Sequence, residues 1–165
     1  MTYYAKTMPS PVGALRLIAT DKGLTAILWE NDDPERVHLG TLIEQSDHPV
    51  LVKTEQQLND YFAGRRDRFD LPLDMVGTDF RKRVWKALLD IPFGETRSYA
   101  DIARAVGNPK AARAVGGAIN HNPLSIVTPC HRVIGRDGTL TGFAGGLEAK
   151  EFLLGHEQGK APAHS

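Results

Sequence analysis

One cysteine in 165 residues, Cys130, rules out an intramolecular disulfide and a multi-cysteine zinc site as the staple of the fold. Long hydrophobic runs are missing too, and every apolar stretch stops far short of the roughly 20 residues that a membrane span needs. A membrane partner is therefore not expected. The opening MTYYAKTMPSPVG lacks the basic start, apolar run and small-residue cleavage site of a secretory signal, so a cytoplasmic location is expected. Residues 1–77 hold no cysteine and only His38 and His48, so no metal is expected and both imidazoles are read as solvated. An excess of charge of one sign is absent as well, since 20 Lys/Arg balance 20 Asp/Glu. What is present is 18.1 kDa of chain, 41% hydrophobic and 24% charged, enough for one compact domain or two small lobes.

The neutrality is an average over opposite regions. Residues 1–77 carry 8 Lys/Arg against 12 Asp/Glu, whereas 97–136 carry Arg97, Arg104, Lys110, Arg113, Arg132 and Arg136 against Asp101 alone. Charge by itself leaves a polyanion partner and an ordinary solvated face equally open.

Three β-rich runs, at 3–8, 14–20 and 24–29, are separated by the turns Pro9 to Gly13 and Asp21-Lys22-Gly23 and predict an antiparallel meander. Residues 31–49 are polar and read as loop with room for a short helix. Leu51, Leu58, Tyr61 and Phe62 form a helical stripe ending at Gly64, and 70–77 reads as linker. Thr78 then caps a helix through Leu89, stopped by Pro92-Phe93-Gly94. Ser98 caps a short helix over 99–106, Gly107-Asn108-Pro109 ends it, and 110–119 is a second helix rich in Ala and Gly. Two short helices about a tight turn predict a helix-turn-helix, although the same pattern also suits a plain helical hairpin. Residues 126–128 read as extended, 136–138 as a turn, 141–146 as a glycine-rich loop and 147–156 as a last helix. The fold class predicted is α+β: an N-terminal lobe over 1–76 with a three-stranded sheet plus helix, a mainly helical lobe over 77–160, and a tail at 161–165.

An isolated cysteine is usually a small buried hydrophobe. Cys130, however, is followed by His131 in Pro129-Cys130-His131-Arg132-Val133, and a thiol becomes a nucleophile when a histidine can take its proton and a carboxylate orients that histidine. Glu157 is the natural third member. Adjacency in sequence does not place an imidazole within hydrogen-bond reach, so the proton has a direct route or one through water.

At these residues the chain resembles the O6-alkylguanine-DNA alkyltransferases, the methylated-DNA–protein-cysteine methyltransferases. The reactive-site motif PCHRVIG stands at 129–135. RxxVWxALxxIPxGxTxSY runs to Tyr99, GNPKAARAVGGAI covers 107–119, NP stands at 122–123 and KEFLLGHE covers 150–157. Several ordered motifs at fixed spacings are far more specific than a Cys-His pair.

The resemblance implies that Cys130 accepts an alkyl group from O6 of guanine in double-stranded DNA. His131 is implied as a general base acting through water, Glu157 as its orienting carboxylate, and Asn122 as the brace of the active-site turn. It implies minor-groove docking of the helix-turn-helix through Lys110, Ala111 and Ala114, with Tyr99 and Arg113 rotating the damaged nucleotide out of the stack. Tyr99, Ile119, Val133 and Gly145 are implied to line an apolar alkyl pocket. Phe143 and Ala144 stand where the family has a tyrosine and a serine that assist the leaving guanine, so the phenolic donor is missing while the backbone amide of Ala144 is retained. No cofactor is implied, and a monomer is expected. Two other readings compete: a Cys-His-Glu hydrolase, for which the triad would serve equally well, and a non-catalytic protein that binds alkylated DNA.

Overall fold

The computed structural model describes residues 2–33, 36–135 and 143–159, and these build an α+β protein. The chain separates into two compact units, Met1–Val76 and Gly77–Ser165. The expected turn at 136–138, residues 141–142 of the glycine-rich loop and the tail at 161–165 lie outside the described residues.

In the first unit, β1 (Tyr3–Met8), β2 (Leu15–Thr20) and β3 (Gly23–Trp29) form the expected antiparallel meander, with Tyr4 opposite Ala19 and Leu15 opposite Trp29. The sheet has a fourth strand, β4 (Leu42–Glu44), which pairs in parallel with β1 and gives the order β3-β2-β1-β4. The three-stranded expectation is corrected on this point. Three residues inside a polar stretch carry no alternation of their own, and β4 exists because the open edge of β1 pairs with it.

Helix α1 (Pro49–Phe62) buries Leu51, Thr54, Leu58 and Tyr61. Its N-cap is His48, which is 6% exposed and not solvated as expected. Nδ1 of His48 accepts from the Val50 amide at 3.3 Å, the ring stacks on Tyr4 with centroids 4.7 Å apart, and Nε2 faces Asp21 Oδ1 at 3.4 Å. The imidazole takes over the role of a capping hydroxyl just before Pro49 at the first helical position. His48→Ala is expected to lower stability by about 1 kcal/mol, with both cap and stacking lost, as read by urea denaturation.

The segment read as linker is strapped to the sheet. Leu24 N donates to Pro72 O and Asp74 N to Leu24 O, both at 2.8 Å, while Thr20 Oγ1 donates to Asp74 Oδ2 at 2.7 Å. Gln57 closes the other end, its amide donating to Asp70 O and accepting from Asp70 N, each at 2.9 Å. A Cβ on Gly23 would stand 2.6 Å from the Pro72 carbonyl oxygen, so glycine is what admits this close approach.

The second unit is built from α2 (Asp79–Leu89), β5 (Arg97–Ser98), α3 (Tyr99–Ala105), α4 (Ala112–Asn120), a 3-10 turn (Cys130–Arg132), β6 (Val133–Ile134) and α5 (Leu147–Glu157). Thr78 caps α2 by accepting from Arg81 N, and Ser98 with Asp101 forms a reciprocal capping box on α3. Trp85 Nε1 of α2 donates to the Ala118 carbonyl of α4 at 2.8 Å, a buried bond that locks these helices together. Helix α4 begins at Ala112, not at Lys110, because Ala111 offers no side-chain cap and the chain still turns there, Ala111 N donating to Asn108 O. Strands β5 and β6 pair in parallel, Arg97 opposite Val133. Among the described residues no helix is long and apolar enough to cross a membrane.

Candidate active site

Cys130 is delivered by a turn that the sequence reading missed. Residues 126–128, expected to be extended, form a tight turn in which Thr128 N donates to Leu124 O at 2.8 Å and Ile126 adopts φ 74°. A β-branched residue in the left-handed region costs on the order of 1–3 kcal/mol, so its surroundings must enforce it. Asn122 does this, with Oδ1 accepting from Leu124 N at 3.0 Å and Nδ2 donating to Thr128 O at 2.9 Å. A buried amide imitating a backbone donor and acceptor outweighs the β preference of Ile126-Val127-Thr128. Cys130 N then donates to Thr128 O, and the 3-10 turn begins with the Cys130 side chain 4% exposed.

The last turn of α5 supplies Glu157. His131 Nε2 and Glu157 Oε2 are 2.6 Å apart, both side chains fully enclosed. Arg132 grips the same carboxylate, Nε donating to Oε1 at 2.7 Å and Nη2 to Oε2 at 3.1 Å. Burial alone would raise the Glu157 pKa, but the hydrogen bonds and positive charge of His131 and Arg132 prevail and pull it down to about 2. Burial pushes His131 below its ordinary value, an effect that Glu157 only partly offsets. At neutral pH the pair is thus a carboxylate facing a neutral imidazole. An ionised carboxylate only accepts, so Nε2 carries the proton and Nδ1 is left as a bare acceptor. Nδ1 is buried and has no hydrogen-bond partner among the described residues, which is the arrangement a general base needs.

Two turns before Glu157 on α5, Lys150 is fully buried and donates from Nζ to Val133 O at 2.6 Å. Burial lowers its pKa, with the nearby Cys130 acting in the opposite sense. Sequence reading missed this cation. The signal was the i, i+7 spacing to Glu157, which puts both on one helix face.

The expected nucleic-acid face is more dispersed than the charge count implied. Arg97 is paired with Glu95 and Arg104 with Asp101, Arg132 is buried on Glu157, and Arg136 lies outside the described residues. Lys110 and Arg113 remain, both exposed and without an ion pair among the described residues. Ala114 is exposed and Ala111 half-buried beside them. Tyr99 opens α3, half-buried, with its ring 3.9 Å from where a Cβ on Gly116 of α4 would stand. Helix α2 carries further cations, Arg81, Lys82, Arg83 and Lys86, outside the window counted from sequence.

Of the residues expected around the alkyl group, Val133 and Ile119 are buried and Phe143, Ala144 and Gly145 half-buried, Gly146 N closing their turn onto Phe143 O. A groove of about 830 Å³ on this unit lies elsewhere, between α2 and α3, and includes none of them.

Comparison with known proteins adds a consistent likeness. Residues 79–159 match the family described as 6-O-methylguanine DNA methyltransferase, DNA binding domain, and residues 3–75 its ribonuclease-like domain. A methylated-DNA–protein-cysteine methyltransferase of Mycobacterium tuberculosis is 48% identical over 165 residues, covering 99% of this chain and 96% of that protein. The constitutive methylated-DNA–protein-cysteine methyltransferase of Bacillus subtilis is 46% identical over 162 residues, covering 96% of each. Among solved structures, Mycobacterium tuberculosis OGT in complex with DNA superimposes with a TM-score of 0.87 at 46% identity, covering 99% of this chain and 96% of that one.

Proposed function

The chain belongs to the 6-O-methylguanine DNA methyltransferase family, and we propose that Cys130 is the acceptor through which it repairs DNA by direct alkyl transfer. One observation carries this reading. The family's named activity moves an alkyl group onto a protein cysteine, and this chain has a single cysteine, standing beside a buried imidazole whose free nitrogen can take a proton.

In the proposed reaction the Cys130 thiol gives its proton to His131 Nδ1 through a water, and the thiolate attacks the carbon on O6 of guanine. An S–C bond forms, the C–O6 bond breaks, and its electron pair goes to O6. The proton held by the imidazole neutralises the departing guanine. Glu157 stabilises the transient imidazolium, as the carboxylate of a catalytic triad does. Lys150, a cation in the same enclosed space, favours the thiolate over the thiol. The product is a thioether, which the side chains around Cys130 offer no means to cleave, so each molecule acts once.

The proposal extends to binding. Lys110 and Arg113 meet phosphates and stack, the small residues Ala111 and Ala114 let α4 approach a minor groove, and Tyr99 with Arg113 turns the lesion out of the duplex toward Ile119, Val133 and the 143–145 turn. The protein acts as a cytoplasmic monomer on double-stranded DNA. Arg113→Ala is expected to slow transfer from duplex DNA by about 10-fold or more while leaving reaction with free O6-methylguanine nearly unchanged, since the free base needs no flipping. Equal losses on both substrates would place Arg113 in the chemistry or the fold.

The deciding experiment is intact mass before and after mixing with a duplex containing O6-methylguanine. Transfer adds one CH2 at Cys130, a methyl gained and a proton lost. An unchanged protein mass with a cleaved substrate would favour the hydrolase, and an unchanged mass with intact substrate a binding protein.

A further inference from the structure

Arg132 is a buried charge for which the reaction above has no use. Counted from sequence among the cations of 97–136, it is 7% exposed, with all three guanidinium nitrogens engaged inside the protein. Two grip both oxygens of Glu157, and the third, Nη1, donates to the Ile91 carbonyl at 2.6 Å. The Phe93 ring lies beneath the guanidinium at 5.8 Å. A planar fork on both carboxylate oxygens fixes the plane and rotation of the carboxylate, which a single hydrogen bond cannot do.

Glu157 Oε2 is the atom shared by Arg132 and His131. We propose that Arg132 is a positioning residue for alkyl transfer: anchored on the Ile91 carbonyl, it holds the Glu157 carboxylate so that His131 keeps its proton on Nε2 and offers Nδ1 toward the Cys130 side. The inference rests on the reading of Cys130 as acceptor and His131 as base. The charged and titratable groups around the carboxylate are His131 and Arg132 in direct contact, with Lys150 and Cys130 behind them. Without the guanidinium, both the carboxylate and the imidazole hold a proton more readily, so the dyad is protonated at higher pH and loses its base.

The test is single-turnover methyl transfer from an O6-methylguanine duplex, measured against pH for wild type, Arg132→Gln and Arg132→Lys, with Cys130 labelling followed by mass and folding by thermal melting. Outer partners that orient an imidazole carry about 10- to 100-fold, metal-bound imidazoles being the measured case, and a loss of that order is expected for Arg132→Gln. Its acid limb should move to higher pH. Arg132→Lys, which keeps the charge without the fork, should recover part of the rate and part of the acid-limb shift. Duplex affinity and its salt dependence should stay the same, because Arg132 is buried with its guanidinium spent on Glu157 and Ile91. A folded Arg132→Gln with wild-type rate and acid limb would overturn the inference. If that variant does not fold, Arg132→Lys decides alone, and a wild-type rate and pH profile there would overturn it equally. Absence of label on Cys130 in the wild type would instead refute the reading of the site itself.

Discussion

Replacing Cys130 by serine is expected to abolish transfer while the protein still binds alkylated duplex. A thiol ionises near pH 8.5, whereas a hydroxyl has an acidity close to that of water, about 15.7, so the anion available to the same base falls by roughly 10⁷. The enclosing turn does not change this, since Asn122 fixes the backbone whatever atom sits at the end of the side chain. Binding is expected to survive because the side chain is 4% exposed and the exposed residues of the candidate interface, Lys110, Arg113 and Ala114, belong to the start of α4 and the turn before it. Stability should drop by no more than about 1–3 kcal/mol, the upper bound set by the desolvation of a buried hydroxyl. The measurements are intact mass after incubation with excess O6-methylguanine duplex and a titration of the same duplex by fluorescence anisotropy. Stoichiometric methylation of Cys130→Ser would mean that another side chain accepts the group. Loss of binding with a normal melting curve would mean that the thiol itself faces the DNA.

How far the sequence revealed this site depends on how local each signal was. The capping pair Ser98 and Asp101 and the stop at Gly107-Asn108-Pro109 are short-range, and α3 stands where they put it. The Cys130-His131 step is adjacent in sequence, and Glu157 closes the α5 motif that follows, so the pairing of His131 with Glu157 was legible from motif and spacing. Strand β4 was not, because a three-residue parallel strand owes its existence to an edge about forty residues earlier. The turn at 124–128 was misread for a related reason: its residues favour strand, and the deciding atoms belong to the Asn122 amide. Counting charge along the chain was the weakest signal. It grouped Arg132 with the cations of 97–136, whereas in three dimensions that guanidinium is buried on Glu157, and it passed over the cations of α2. His48 was misjudged similarly, as a solvated ring, because capping by an imidazole has no strong sequence signature.

The burial of Arg132 makes Glu157 the residue whose loss should be felt most widely. Glu157→Gln leaves a guanidinium enclosed without its counter-ion, and breaking a buried ion pair from one side costs about 3–5 kcal/mol. Set against a total stability of about 5–15 kcal/mol, that is a large fraction, and the melting temperature should fall by roughly 10 °C or more. Transfer should slow as well, because an amide does not balance the charge of an imidazolium. The pH dependence distinguishes this from a simple packing defect. Glu157 has a folded-state pKa of about 2 against an ordinary 4.5, so its stabilisation is fully present above 4.5 and is lost as pH falls toward 2. His131, depressed by burial from its ordinary 6.5, acts in the same direction, its contribution fading as pH falls below 6.5. The wild type should therefore lose stability progressively on acidification, while Glu157→Gln, which already lacks the carboxylate contribution, should lose less between pH 4.5 and 2. The difference in melting temperature between the two proteins is expected to narrow across that window. A difference independent of pH, with the ion pair intact in the wild type, would show that the amide fails for reasons of shape and that the charge of Glu157 contributes little to the fold.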